Sequence, residues 1–145
     1  MYNRILIPTD GSETAAKGVE HGLALAQALN IPVTIVTVTV PLSGLALESV
    51  VQGEAFDSYN EAVQEEVKGL EKRVREQAAK AAVPIEFVSE FNVSPAAAIL
   101  ETAHARKCDV IVIASHGRRG IRRLMLGSQT AEVIANSTIP VLIVK

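Results

Sequence analysis

Short apolar runs alternate along this chain with longer stretches in which apolar residues recur every three or four positions. Runs of four to eight apolar residues bounded by turn signals read as strands, and the wider spacing is that of a helix with one buried face. RILIP (4–8) reads as a first strand, cut off by Pro8. TDGS (9–12) is turn chemistry, and Ser12 can cap a helix whose inner face is Ala15, Val19, Gly22, Leu23, Ala26 and Leu29. Asn30 and Pro32 close that helix, and the β-branched VTIVTVTV (33–40) reads as a second strand. From Pro41 to Asp57 no period is clean, which predicts a long irregular segment. Ser58 and Glu61 have capping-box spacing, and Val63, Val67, Leu70, Val74, Ala78 and Ala81 mark one face of a long charged helix. PIEFVSE (84–90) reads as a third strand. Ser94-Pro95 is a cap followed by proline at the first position of a helix running to about Arg106. DVIVIA (109–114) is a fourth strand, apolar enough to be buried on both faces. A helix from about Ser128 to Asn136 and a fifth strand, PVLIV (140–144), follow.

Strict alternation of strand and helix predicts an α/β fold: one open parallel sheet of five strands, right-handed crossovers and helices on both faces. In such sheets ligands bind beyond the carboxyl ends of the strands, where the strand order reverses. The loops that can form a site are therefore PTDGS after the first strand, the end of VTIVTVTV, FNVS after the third strand and SHGRRG after the fourth.

Composition narrows the picture. A length of 145 residues predicts a single domain spanning 1–145. Aromatic residues are only 3% against 48% hydrophobic, so the core must be Val, Ile, Leu and Ala, which suits a sheet covered by helices. A net charge of −2 provides no global basic field for nucleic acid. The lone Cys108 forms no internal disulfide and reads as a packing residue. No stretch reaches the roughly 18 apolar residues of a membrane span, so a soluble, cytoplasmic protein is expected.

The candidate chemistry gathers around Gly117, Gly120 and Gly127, with Arg118, Arg119, Arg122 and Arg123 between them. Glycines let backbone amides approach an anion, and Gly127-Ser128 opens a helix whose dipole favours negative charge. The same residues also describe a surface turn with a solvated basic edge. Asp10 has two readings as well: a ligand-facing carboxylate, for ribose or metal, or an Asx turn before the first helix. Thr9 and Ser12 share its ambiguity. No Gly-Lys-Ser/Thr and no Gly-x-Gly-x-x-Gly after the first strand occurs, so neither a Walker loop nor a dinucleotide fingerprint is present. His21 and His104 fall within helices. His116 lies in the candidate loop, with no nucleophile paired to it by spacing, and no metal-ligand spacing of Cys and His exists. A phosphoacceptor receiver domain would need an acidic pair after the first strand and an aspartate after the third. Phe91 and Asn92 stand at the latter place.

ILIPTDGSE, DVIVIASHGRRGIRRLMLGSQTAEVI and PVLIVK together resemble the universal stress protein family, over the whole chain. The family's nucleotide signature is glycine, two residues, glycine, nine residues, glycine, then Ser or Thr. Gly117, Gly127 and Ser128 match its latter part, and Ala114 stands where it begins with glycine. The resemblance implies strand order 3-2-1-4-5, which makes PTDGS and SHGRRG face each other. It implies that Pro8, Thr9 and Asp10 line the adenine and ribose side, and that the Val38 backbone offers hydrogen bonds to adenine. It further implies that Ala114, Ser115, His116, Gly117, Arg118 and Arg119, with Gly127, Ser128, Gln129 and Thr130, surround the phosphates. The expected cofactor is ATP, with or without magnesium, with no catalytic residue and slow hydrolysis at most. The expected partner is a second copy, joined through Val141–Val144. Two functions follow: a dimeric nucleotide-dependent sensor or regulator of stress response, or a nucleotide-independent interaction module of the same fold.

Overall fold

A computed structural model of the protein describes residues 1–42, 54–117 and 126–145. The elements are β1 (Ile5–Pro8), α1 (Glu13–Leu29), β2 (Val33–Thr39), α2 (Glu54–Lys80), β3 (Ile85–Phe91), α3 (Pro95–Ala105), β4 (Val110–Ala114), α4 (Ser128–Asn136) and β5 (Val141–Val144). The strands form one parallel sheet in the order β3-β2-β1-β4-β5. The chain works outward from β1 to β3, then crosses back to place β4 on the other side of β1. The order therefore reverses between β1 and β4, as the resemblance implied.

Side chains along each central strand alternate between two apolar layers. Ile5, Ile7, Val33, Ile35, Val110 and Val112 pack with α1 and the end of α2, through residues such as Val19, Leu23, Leu70 and Val74. Leu6, Val36, Val88, Ile111 and Ile113 pack on the other face with Ala96, Ile99, Ala103 and Val133 of α3 and α4. Both layers are aliphatic, and β1 and β4 are buried along their whole length. Cys108 is buried in the second layer, the packing role expected of it.

Three boundary expectations change. α2 begins at Glu54, so Ser58 and Glu61 lie inside the helix and do not cap it. Residues 43–53 of the expected irregular stretch lie outside the described residues, and Glu54–Asp57 is helical. Leu29, expected on the inner face of α1, is exposed, while Gly18 joins the buried stripe. Leu29 is the last residue of α1, next to the cap Asn30 in the left-handed conformation (φ 54°), so no further helical turn covers it. In α2, Val63 and Val67 are only half-buried and the inner face closes from Leu70 onward. Its charged segment carries exposed Glu65–Lys68 and Glu71–Arg75 pairs, a solvated face.

Candidate functional site

Beyond the carboxyl ends of β1, β2 and β4 lies a cavity of about 420 Å³. It is the size of a small-ligand site and sits where strand order reverses.

The PTDGS loop holds itself in place by a ladder of side chain to backbone bonds. The Gly11 N–H donates to Thr9 Oγ1 (3.3 Å), the Ser12 N–H to Asp10 Oδ1 (2.9 Å) and the Ala15 N–H to Ser12 Oγ (3.1 Å). Gly11 has φ 79°, a conformation that suits glycine and lets the chain turn sharply into α1. The Asx-turn reading of Asp10 is thus realised. A Cβ built on Gly117 would lie 2.5 Å from Asp10 Oδ2, so a side chain at 117 would have to displace the end of the Asp10 side chain. The same contact brings the loop after β1 against the loop after β4.

β2 runs past the end of β1. The Thr9 N–H donates to the Val36 carbonyl (2.9 Å), so with the two-residue period of a strand the N–H and C=O of Val38 point to that same side, beyond the last residue of β1. The Val38 side chain shares the α3 face with Val36 and lines the cavity. Its wall continues through Val40, Val93, Pro95, Ile99 and Ile113. The candidate loops included Val40, at the end of VTIVTVTV, and Val93, in FNVS, but not Pro95, Ile99 or Ile113 as wall residues. Two signals could have found them: Val36 and Val38 are two apart on a strand, and Pro95 and Ile99 four apart on a helix.

The opposite end of the cavity is formed by His116, Gly117, Gly127, Ser128, Gln129 and Thr130. α1 and α3 are capped by serine side chains, from Ser12 and Ser94. α4 is capped by Gly127, which has no side chain to accept from its first-turn amides. Those amides carry the partial positive charge of the helix and border the cavity. Three bonds fix the position of this turn: Gly127 N–H to the Ser115 carbonyl (2.8 Å), Thr130 Oγ1 to the Ala114 carbonyl (2.9 Å), and Ala96 N–H to Gln129 Oε1 (3.0 Å). The side chains of Gln129 and Thr130 thus brace the turn, leaving its backbone to face the cavity. Ser115 is buried beneath the wall, its N–H bonded to the Val144 carbonyl and its Oγ 3.1 Å from His116 Nδ1. Ala114 borders the cavity at the end of β4. Arg118 and Arg119 lie outside the described residues, as do Gly120, Arg122 and Arg123. The remaining sequence-derived site residues, Pro8, Thr9, Asp10, Val38, Ala114, His116, Gly117, Gly127, Ser128, Gln129 and Thr130, share this one cavity.

Among the described residues no group of three His, Cys, Asp or Glu side chains could hold a metal ion, and no helix is long and apolar enough to cross a membrane. His21 and His104 are exposed on helices away from the cavity lining.

Residues 1–145 match the model of the universal stress protein family. The chain is 33% identical to universal stress protein MJ0531 of Methanocaldococcus jannaschii, over all of this chain and 83% of that one. Its fold superposes on the solved structure of protein MJ0577 with a TM-score of 0.81, at 27% identity and covering 100% and 96% of the two chains. It is also similar to a universal stress protein solved in complex with cAMP (TM-score 0.72, 26% identity, 99% and 96% coverage).

Proposed function

This chain belongs to the universal stress protein family, and we propose that its cavity binds ATP and makes a homodimer a nucleotide-dependent sensor or regulator in the stress response. One observation carries the reading: a glycine-capped helix N-terminus faces an aliphatic wall across the switch point of the sheet. That pairing of apolar surface and free amides suits a ligand with a flat apolar base at one end and an anion at the other. The cAMP bound by a similar family protein is of this kind.

In this reading the adenine lies against Val36, Val38, Ile99 and Ile113 and takes hydrogen bonds from the Val38 backbone. Pro8, Thr9 and Asp10 border the ribose. The phosphates meet Gly117 and the first turn of α4, where helix-dipole interaction contributes about 0.3–2 kcal/mol. Magnesium, which keeps several waters and binds through phosphates and one or two carboxylates, would find Asp10 as the protein carboxylate on this rim. Turnover in this reading is slow at most, and the nucleotide acts as a signal. Dimerisation uses β5, an edge strand whose Leu142 is 46% exposed and which would gain a partner by pairing with its copy.

Titration calorimetry with ATP on protein stripped of copurified nucleotide tests the site. Saturable binding with an affinity in the micromolar range is expected, and no heat at millimolar ATP would overturn it. Gly127→Val should remove binding, because its side chain would stand where the phosphates approach. Among the described residues a Cβ there meets nothing closer than 3.4 Å, and a melting curve of the variant checks that it is folded.

A further inference from the structure

The structure assigns Ala114, where the family signature begins with glycine, a packing partner in Gly18 of α1: the bare α-carbon of Gly18 makes room for the β4 backbone at Ala114 and so sets the position of the phosphate-side loop. The ligand in this inference rests on the nucleotide reading above; the pairing itself does not.

The side chains of β4 alternate, with Val110 and Val112 in the α1 layer and Ile111 and Ile113 in the α3 layer. Ala114 continues the first set. Its registered neighbour on β5, Val144, also belongs to the α1 layer. The Ala114 methyl therefore lies on the α1 side, whereas the aliphatic wall of the cavity belongs to the α3 side. A Cβ built on Gly18 would sit 3.1 Å from the Ala114 nitrogen and 3.4 Å from the Ala114 Cβ. One turn further along α1, a Cβ on Gly22 would overlap Ile7 Cδ1. Ala15, Gly18, Gly22 and Ala26 thus form a stripe of small buried residues along which α1 lies close against β1 and β4. At the Gly18–Ala114 crossing a methyl on α1 would press on the β4 backbone at the Ala114 nitrogen, whereas its contact with the Ala114 methyl would be an ordinary van der Waals one.

The crossing matters to the site through the bonds that leave it. The Ala114 carbonyl accepts from Thr130 Oγ1, and the next residue, Ser115, accepts from the Gly127 N–H. A push on the Ala114 backbone from α1 is passed directly to the cap and first turn of α4. Gly18 and Ala114 are positioning residues for the amides that meet the anion.

The test is a double-mutant cycle of Gly18→Ala, Ala114→Gly and the swap that carries both. Melting temperature and ATP affinity are measured on each protein, the latter well below every melting temperature. In an exposed helix, glycine to alanine raises stability. Here Gly18→Ala should lower the melting temperature by about 5 °C and weaken ATP binding roughly tenfold, because overpacking displaces β4. Ala114→Gly should lower the melting temperature by about 2–5 °C and should not tighten ATP binding. The swap removes the contact between the two side chains but keeps the one with the residue 114 nitrogen, so it should recover little of what Gly18→Ala loses. A tenfold tighter complex with Ala114→Gly would show that the methyl obstructs the ligand and would overturn the assignment. So would an unchanged melting temperature and ATP affinity in Gly18→Ala. Should the wild type bind no ATP, the nucleotide reading fails, and the melting temperatures still decide the packing: a melting temperature unchanged or raised in Gly18→Ala overturns it and a lowered one upholds it.

Discussion

At the amino end of the sheet, Asn3, Arg4, Glu86, Arg106 and Asp109 close on one another; at the carboxyl end, Pro8 to Asp10, Val38 and Gly127 to Thr130 stand around a cavity. Asp109 accepts from the Asn3 and Arg4 N–H groups at 2.9–3.1 Å and from the Asn3 side chain at 2.9 Å. The Arg4 guanidinium reaches Thr34 Oγ1 (3.3 Å) and Glu86 (3.9 Å), and Arg106 reaches Glu86 (3.3 Å). The half-exposed ion pairs contribute little by themselves. Together with the Asp109 bonds, however, they satisfy the polar groups at this end with protein partners. At the other end the loops satisfy their own turns and leave the α4 amides turned toward the cavity. The contrast teaches where to look for a ligand in this fold: at the end where a helix terminus lacks a side-chain cap.

The comparison can be broken most strongly at residue 127. Gly127→Asp would give α4 the side-chain cap that α1 and α3 possess, and place a carboxylate where the phosphates approach. ATP affinity should fall about 100-fold or more, equivalent to roughly 2.7 kcal/mol, while unfolding free energy rises by a few tenths of a kcal/mol. Calorimetry and denaturant unfolding on the same protein read both; unchanged affinity would remove α4 from the site.

The amino end should behave in the opposite manner. Asp109→Ala strands the Asn3 and Arg4 N–H groups and should cost about 1–2 kcal/mol in urea unfolding, with ATP affinity unchanged. A loss of affinity would mean that the two ends are coupled through the sheet. The pH dependence sharpens the point. Burial raises the Asp109 pKa, but the hydrogen bonds from the Arg4 N–H and from the Asn3 side chain and N–H outweigh it and hold the carboxyl below its ordinary value. A depressed carboxyl stabilises the fold above its unfolded pKa of about 3.9, and the contribution is lost as pH falls through the lower folded value. Acid unfolding of the wild type should therefore steepen below about pH 4, and Asp109→Asn should flatten it.

Smaller effects separate the caps. Ser94→Ala removes the acceptor for the Ala97 N–H and should cost about 1 kcal/mol, with a modest loss of ATP affinity because α3 carries Pro95 and Ile99 of the wall. Smallest of all is the response of Cys108. Burial pushes its thiol pKa up, against the lowering effects of the Thr34 hydrogen bond and of Arg4. It should therefore resist alkylation at neutral pH until urea unfolds the protein, and labelling rates followed by mass spectrometry would check this.

Much of the fold was legible because both apolar periods are strong here. β4 is apolar at every position and is buried at every position, and Ser12 and Ser94 cap the helices they were expected to cap. The failures have physical causes. Ser58 and Glu61 match a capping box, but that spacing is equally compatible with a helix interior, and α2 continues through them back to Glu54. Leu29 has the right period and misses the core because the helix ends at it, with the left-handed cap Asn30 next in the chain. At the site, the glycines and PTDGS pointed to the correct ends of β1 and β4. The part of the aliphatic wall that comes from α3 was not legible, because Pro95 and Ile99 look in sequence like an ordinary helix start and core residue.

The sequence by itself determined the alternation of strands and helices, and through its resemblance the family and the strand order, since these rest on local periodicity and on short motifs. Which side of β4 the Ala114 methyl occupies, which oxygen of Asp10 meets Gly117, and that Gln129 braces α3 were decided only by tertiary structure. Each depends on the approach of segments tens of residues apart, and a close contact of that kind leaves no period in the chain. Ala114 makes the case: in sequence it is a departure from a glycine signature, and in the fold it is one half of a contact whose glycine stands on α1.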